Sequence, residues 1–371
     1  MHVTGEGIVF SGADDASSAT FPMVCVTSTG RWLCAFRAAP GKLRNAGERV
    51  LLIWSDDRGR TWHDPIEPFY PPRIDDKPGT LRICCITALP DGSLLAAVNW
   101  VDASNPALPY FNETTEGLLD TRILISRSHD DGGTWSPLQI VDTTPFNVPT
   151  PLTGPILRLS NGDLVCQFEL NKPYTDLAPW KHASVMIFSR DGGKTWPRCA
   201  VTAQDPAASI FYWDQRPAVL PDGRILDLFW TFDRRNSVYL DIHASCAEPS
   251  GLTWPPPQST GVSGQPGPVF SLSDDSIAMP YVDRAGPPVI KVCRSIDGGR
   301  NWNTSDSLVV YESSGRVQTI QKSSMQDAWS EMYAFSVGLP NVAPLPEGGS
   351  VLVYYAGLKT DETGIRWALI Q

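Results

Sequence analysis

The segment Tyr212-Trp213-Asp214-Gln215-Arg216-Pro217 sets one carboxylate between aromatic rings and a guanidinium. Paired with a second carboxyl that apolar neighbours keep protonated, such a group can cleave an acetal. One member gives a proton while the other acts as base or nucleophile. Glu169 is the candidate partner of Asp214. Asp233 and Asp283 are further carboxylates, and Tyr333 a phenol, that the repeats described below bring to the same face. Arg37, Arg82, Arg234 and Arg284 fall at equivalent places in those repeats, and their planar forks suit bidentate capture of a carboxylate on a ligand. Arg216, Trp100, Trp213 and Tyr355 complete the candidate binding set, with indole and phenol faces on which a sugar ring can stack. Any one of these charges could equally be a solvated strand end or half of a salt bridge. As a set on one face they mark a pocket. His2, His63, His129, His182 and His243 show no ligand spacing, so neither a metal nor another cofactor is expected.

The elements that must position these groups announce themselves as repeats. An octapeptide of the form Ser-x-Asp-x-Gly-x-Thr-Trp occurs at Ser55–Trp62, Ser128–Trp135 and Ser189–Trp196, and at Ser295–Trp302 with Asn301 for Thr. A longer copy without the Asp runs from Ser245 to Trp254. The Asp can accept from backbone N–H groups ahead of it, Gly supplies a positive φ, and Trp anchors the next strand. This reads as a folding device rather than a catalytic or Ca²⁺ loop, since the long carboxylate ladder of a calcium site is missing. Upstream of these turns, an apolar strand, a short polar turn and a second apolar strand recur six times. Their turns lie at 28–30, 90–92, 160–162, 221–223, 273–275 and 346–348. Sustained 3.6-residue periodicity is missing, so helix should be scarce. Six four-stranded antiparallel units make an all-β, six-bladed β-propeller. The strand at 365–370 and the N-terminal GIVFSG should close the last blade, giving a single domain over residues 1–371.

Composition narrows the partners. The net charge of −10 argues against nucleic acid or an anionic membrane. No apolar run approaches the length of a membrane span, and the first residues lack the pattern of a secretory signal. The eight cysteines sit in strand-like runs without a CxxC pair, which reads as reduced thiols in a cytoplasmic protein. Oligomeric state is not legible.

The Trp octapeptides resemble the "Asp boxes" (BNR repeats) of the sialidase, or neuraminidase, superfamily, and the resemblance covers nearly the whole chain. It implies a six-bladed propeller, and the blade geometry puts the pocket on the face opposite the Trp turns. It also implies three arginines holding a substrate carboxylate, a Tyr nucleophile activated by a Glu, and an Asp acid/base. Carried over by position, the first arginine falls on Thr20 and the second on Trp230. The activating carboxylate falls on Asp214 and the tyrosine on Leu339, with Tyr333 six residues before it. The acid/base Asp falls in the loop between Arg37 and Val50, whose one acid is Glu48. Asp214 alone matches. The leading expectation is an exo-acting, sialidase-like glycoside hydrolase that removes a terminal acidic sugar by carboxylate acid/base catalysis. A neutral-sugar exo-glycosidase and a non-catalytic glycan- or protein-binding propeller are the alternatives.

Overall fold

Each second strand of a blade is an apolar run buried on both faces, because it is sandwiched between the sheets before and after it. Trp32–Ala39 is buried throughout, and so are Leu94–Asp102 and Ile225–Asp233 apart from their last residues. These runs set the architecture of the computed structural model, which describes residues 1–12, 15–43 and 45–371. Six antiparallel blades follow in order around a ring, a six-bladed β-propeller. Blade 1 is Ser18–Val26, Trp32–Ala39 and Arg49–Ser55, with Ile66 bridged to Leu52 outside them. Blade 2 is Gly79–Ala88, Leu94–Asp102, Thr121–Ser128 and Gln139–Ile140, and blade 3 is Leu157–Arg158, Leu164–Leu170, Ala183–Ser189 and Arg198–Ala203. Blade 4 is Ile210–Val219, Ile225–Asp233, His243–Ala247 and Gln258–Ser259. Blade 5 has a broken inner strand, Gln265–Pro266 and Phe270–Ser271, followed by Ile277–Asp283, Val289–Ser295 and Asn303–Glu312. Blade 6 is Val337–Pro344, Ser350–Lys359 and Glu362–Ile370, and its outer strand is Val3–Phe10, antiparallel to Glu362–Ile370.

The Trp turns close as their composition dictates. In the first, Gly59 N–H donates to Ser55 Oγ at 2.8 Å, and Thr61 gives its N–H and Oγ–H to the two oxygens of Asp57 at 2.8 and 2.6 Å. The same bonds recur around Asp130, Asp191 and, with Asn301 for Thr, Asp297. Thr61's hydroxyl and N–H hold the Asp57 carboxyl down at about 2, and the N–H and hydroxyl of Thr134 do the same for Asp130. The copy at Ser245–Trp254 lacks the Asp but keeps its Trp clasp: Trp254 Nε1 donates to Gly251 O at 2.7 Å, as Trp302 does to Gly299 O at 3.1 Å. Gly59 has φ of +81°, and a Cβ there would lie 2.8 Å from Trp367 and 2.9 Å from Trp32. The turn thus seats blade 1 against blade 6 through those two indoles, which meet edge to face at 5.5 Å.

One helix stands out among the described residues, α1 (Met325–Ala334), in the connection between blades 5 and 6. Ser324 caps it by accepting from Asp327 N–H, and Asp327 accepts in return from Ser323.

Candidate active site

The inner strands carry the geometry of the site. Four of them break register at the same end: between Thr20 and Met23, Leu81 and Ile83, Trp213 and Arg216, and Gly338 and Asn341. A bulge inserts a residue and re-aims its side chain. In three of these strands the extra residue takes a left-handed backbone, with φ of 55° at Phe21, 51° at Asp214 and 47° at Leu339. Phe21, Arg82, Asp214 and Leu339 are thereby brought to one cavity of about 210 Å³. That is smaller than a typical drug-sized site.

Of the residues singled out from sequence, Asp214, Glu169, Tyr333, Arg82, Trp213 and Tyr355 line this cavity. Asp214 and Glu169 are brought side by side, because the backbone N–H of Asp214 donates to Glu169 Oε1 at 2.5 Å. Asp214 Oδ2 accepts from Gln265 Nε2 at 2.7 Å, and its Oδ1 lies 3.6 Å from Arg216 Nη2. Glu169 Oε2 stands 3.4 Å from Nε2 of the buried His182, whose ring meets Trp180 edge-on. Burial pushes the Tyr355 phenol up to about 12 against the pull of Arg284, and the Tyr333 phenol up to about 12 against the pull of Arg82. Both phenols are therefore proton donors at neutral pH.

Other expectations are corrected. Asp233 accepts from the N–H groups of Arg235 and Asn236 and serves a turn outside the cavity lining. Asp283 is tied to Lys291 at 2.7 Å on its own blade. Trp100 is fully buried between blades, giving its Nε1–H to Pro72 O. The four-arginine clamp is not assembled. Arg37 is fully buried and donates to Glu48 at 2.7 Å, and Arg234 pairs with Glu116 at 2.6 Å. Arg284 reaches Gln265 at 2.8 Å with its guanidinium over the Phe335 ring. Arg216 is spent on Thr153 O and on Asp214. Arg82 alone of these five guanidiniums lines the cavity, over the Tyr110 ring and 3.1 Å from Glu48. Glu48, expected in the place of an acid/base, is instead buried between two arginines and Thr80. Tyr333 comes from α1 and not from an inner strand.

Sequence reading missed Lys42, Tyr110, Trp180, Trp329, Met332 and Phe335, which also line the cavity. For Trp329 and Met332 a signal existed: Ser324-x-x-Asp327 is a helix start, followed by apolar residues at helical spacing. Lys42 sits in a polar loop that gives no sign of burial. Its amine is pushed well below the ordinary lysine range by burial first, then by Arg284 and Arg37.

Blades, turns and cavity together define a sialidase-like six-bladed propeller. Over 256 residues the chain is 30 % identical to a sialidase of Micromonospora viridifaciens, a match covering 60 % of this chain and 35 % of that protein. The chain thus spans about a third of that relative's length. It superposes with a TM-score of 0.77 on a protein of unknown function from Dyadobacter fermentans, at 18 % identity over 100 % of this chain and 99 % of the other. It superposes at 0.66 on the intramolecular trans-sialidase of Ruminococcus gnavus, with 13 % identity over 100 % and 98 %. At such identities the structural likeness speaks for the fold alone. No model of a known protein family matches the chain. Among the described residues, no helix is long and apolar enough to cross a membrane.

Proposed function

We propose that the protein is an exo-acting glycoside hydrolase, with Asp214 as base or nucleophile and Glu169 as its acid partner. The observation that carries this is that Asp214 and Glu169, linked through the Asp214 backbone N–H, both line a small cavity with four indoles, Trp180, Trp213, Trp230 and Trp329. Indole faces bind the C–H faces of a sugar ring. Asp214 Oδ2 is held by Gln265 Nε2 at 2.7 Å, and Glu169 Oε2 stands 3.4 Å from His182 Nε2, so each carboxyl has a fixed neighbour that orients it.

A neutral terminal sugar is the better-supported substrate, in place of the acidic one read from the sequence. Where the resemblance would put carboxylate-binding arginines, Trp230 and Phe21, the residue after Thr20, face the cavity. Leu339 faces it where the tyrosine nucleophile would stand. One observation favours an acidic sugar: Arg82 and Lys42 both line the cavity, so a ligand carboxylate would meet a guanidinium and an amine donor there.

The test is a panel of nitrophenyl glycosides, neutral sugars alongside a sialoside and a uronide, with wild type, Asp214→Asn and Glu169→Gln. Each substitution should lower kcat on the preferred sugar by about 10²-fold or more. Turnover of none of the panel by wild type would refute the hydrolase. Tight binding of a sugar without turnover would make the chain a glycan-binding propeller.

A further inference from the structure

The cavity has one wall that does not belong to a blade. Trp329, Met332 and Tyr333 come from α1 and Phe335 from just beyond it, within a connection between blades 5 and 6. The N-terminal half of α1 is held by packing: the Trp329 ring stacks on Phe111 at 3.9 Å, and Gln326 Nε2 donates to Glu113 O at 2.7 Å. Beneath it, buried Glu331 accepts from Ile320 N–H and Lys322 Nζ, each at 2.7 Å. The C-terminal end is held differently. The last carbonyls of a helix need outside donors and favour a cation, and α1 has no basic residue in its last turn. Lys42, from the loop between the second and third strands of blade 1, supplies the donor. Its Nζ donates to Met332 O at 2.7 Å and to Phe335 O, and it lies 5.8 Å from the Phe335 ring and 5.6 Å from the Tyr355 ring. The Lys42 backbone N–H is pinned in turn to Asp361 Oδ1 of blade 6 at 2.9 Å.

We propose that Lys42 is a positioning residue that latches α1 over the cavity and so limits the site to a single terminal sugar ring. The claim about chain length rests on the glycosidase reading; the latch does not. Without the Lys42 amine, Phe335 O loses its donor and Met332 O keeps only the Phe335 N–H at 3.4 Å, so the end of α1 that carries Met332, Tyr333 and Phe335 is released. The other end stays stacked on Phe111. The cavity then opens along one side, towards a groove that accepts a longer chain.

Hydrogen exchange of the full chain, without any sugar, tests the latch directly. In Lys42→Met, amides at the C-terminal end of α1, residues 331–336, should exchange about tenfold faster or more, the scale of a lost buried hydrogen bond. The inner strands of blades 2 and 4 should be unaffected. Lys42→Arg, which can also donate to two carbonyls, should keep most of the protection. Unchanged protection at 331–336 in Lys42→Met would overturn the proposal. So would equal loosening or collapse of all six blades, which would make Lys42 a general core residue. The second readout takes the sugar identified by the panel as nitrophenyl monosaccharide and disaccharide glycosides. The monosaccharide-to-disaccharide ratio of kcat/KM should fall at least about fivefold in Lys42→Met, through a rise in KM for the monosaccharide. An unchanged ratio with α1 loosened would overturn the role in chain length. A panel with no turnover at all would refute the hydrolase reading and leave the exchange result standing.

Discussion

Replacing Glu48 should damage the fold far more than its single carboxylate suggests. Glu48 is buried with no exposed side-chain surface, and it accepts from Arg37 Nε at 2.7 Å, from Arg82 Nη2 at 3.1 Å and from Thr80 Oγ1 at 2.8 Å. Glu48→Gln keeps the shape but removes the charge shared by two guanidiniums, and its amide N–H₂ must face a donor. Breaking a buried pair by removing one partner costs about 3–5 kcal/mol. Unfolding entropy of about 2.1 cal/mol/K per residue gives about 0.8 kcal/mol/K for 371 residues, so the loss should lower Tm by roughly 4–6 °C. Scanning calorimetry at fixed scan rate and pH 7 reads this. The double variant Arg37→Met, Glu48→Met should lose less than Glu48→Met alone, because one of the two stranded cations is removed with the carboxylate. A Tm shift under about 1 °C in Glu48→Gln, or full additivity in the double variant, would refute the account of Glu48 as the shared counter-charge.

Two further outcomes follow from the turns and from blade packing. Asp57 and Asp130 are held at about 2, below the ordinary 3.8, so the stability they contribute is present above pH 4 and lost as pH falls towards 2. Tm measured between pH 5 and 2 should therefore fall less steeply in the Asp57→Asn, Asp130→Asn variant than in wild type, and equal slopes would dismiss the turns as the cause. A Cβ at Gly79 would lie 1.7 Å from Trp100 Nε1. Gly79→Ala should lower stability by about 1–3 kcal/mol or more through overpacking, read as a drop in Tm that Trp100→Phe partly restores.

The fold was legible because its instructions are local. A Ser, an Asp, a Gly, a Thr and a Trp within eight residues specify a turn whose bonds are all internal, and four such turns with six hairpins count the blades. Asp214 could be found by counting back from the hairpin glycine Gly223, since both lie on one inner strand and its turn. The rest of the site was not local. Arg37 and Trp100 end second strands and look pocket-facing on paper, but the pleat turns them between blades, where Glu48 and Pro72 O meet them. The left-handed bulges at Phe21, Asp214 and Leu339 shift which residue faces the cavity, and nothing in their side chains announces a positive φ. Lys42 was invisible because its partners are carbonyls roughly 290 residues away in the chain.

The closure of blade 6 has a consequence for how the protein is made. Val3–Phe10 pairs only with Glu362–Ile370, and His2 and Gln371 exchange backbone hydrogen bonds at 2.7 and 3.1 Å. On the ribosome this strand emerges before the other blade strands, yet its partner is the last of them to emerge. Its backbone donors and acceptors wait in water while the other blades stack. Blades 2 to 5 can form as they emerge, each from contiguous chain, but the seam cannot. Pairing these two strands is therefore a long-range encounter with a large loop-closure entropy. A chaperone that shields one short strand would act on that step more than on any other.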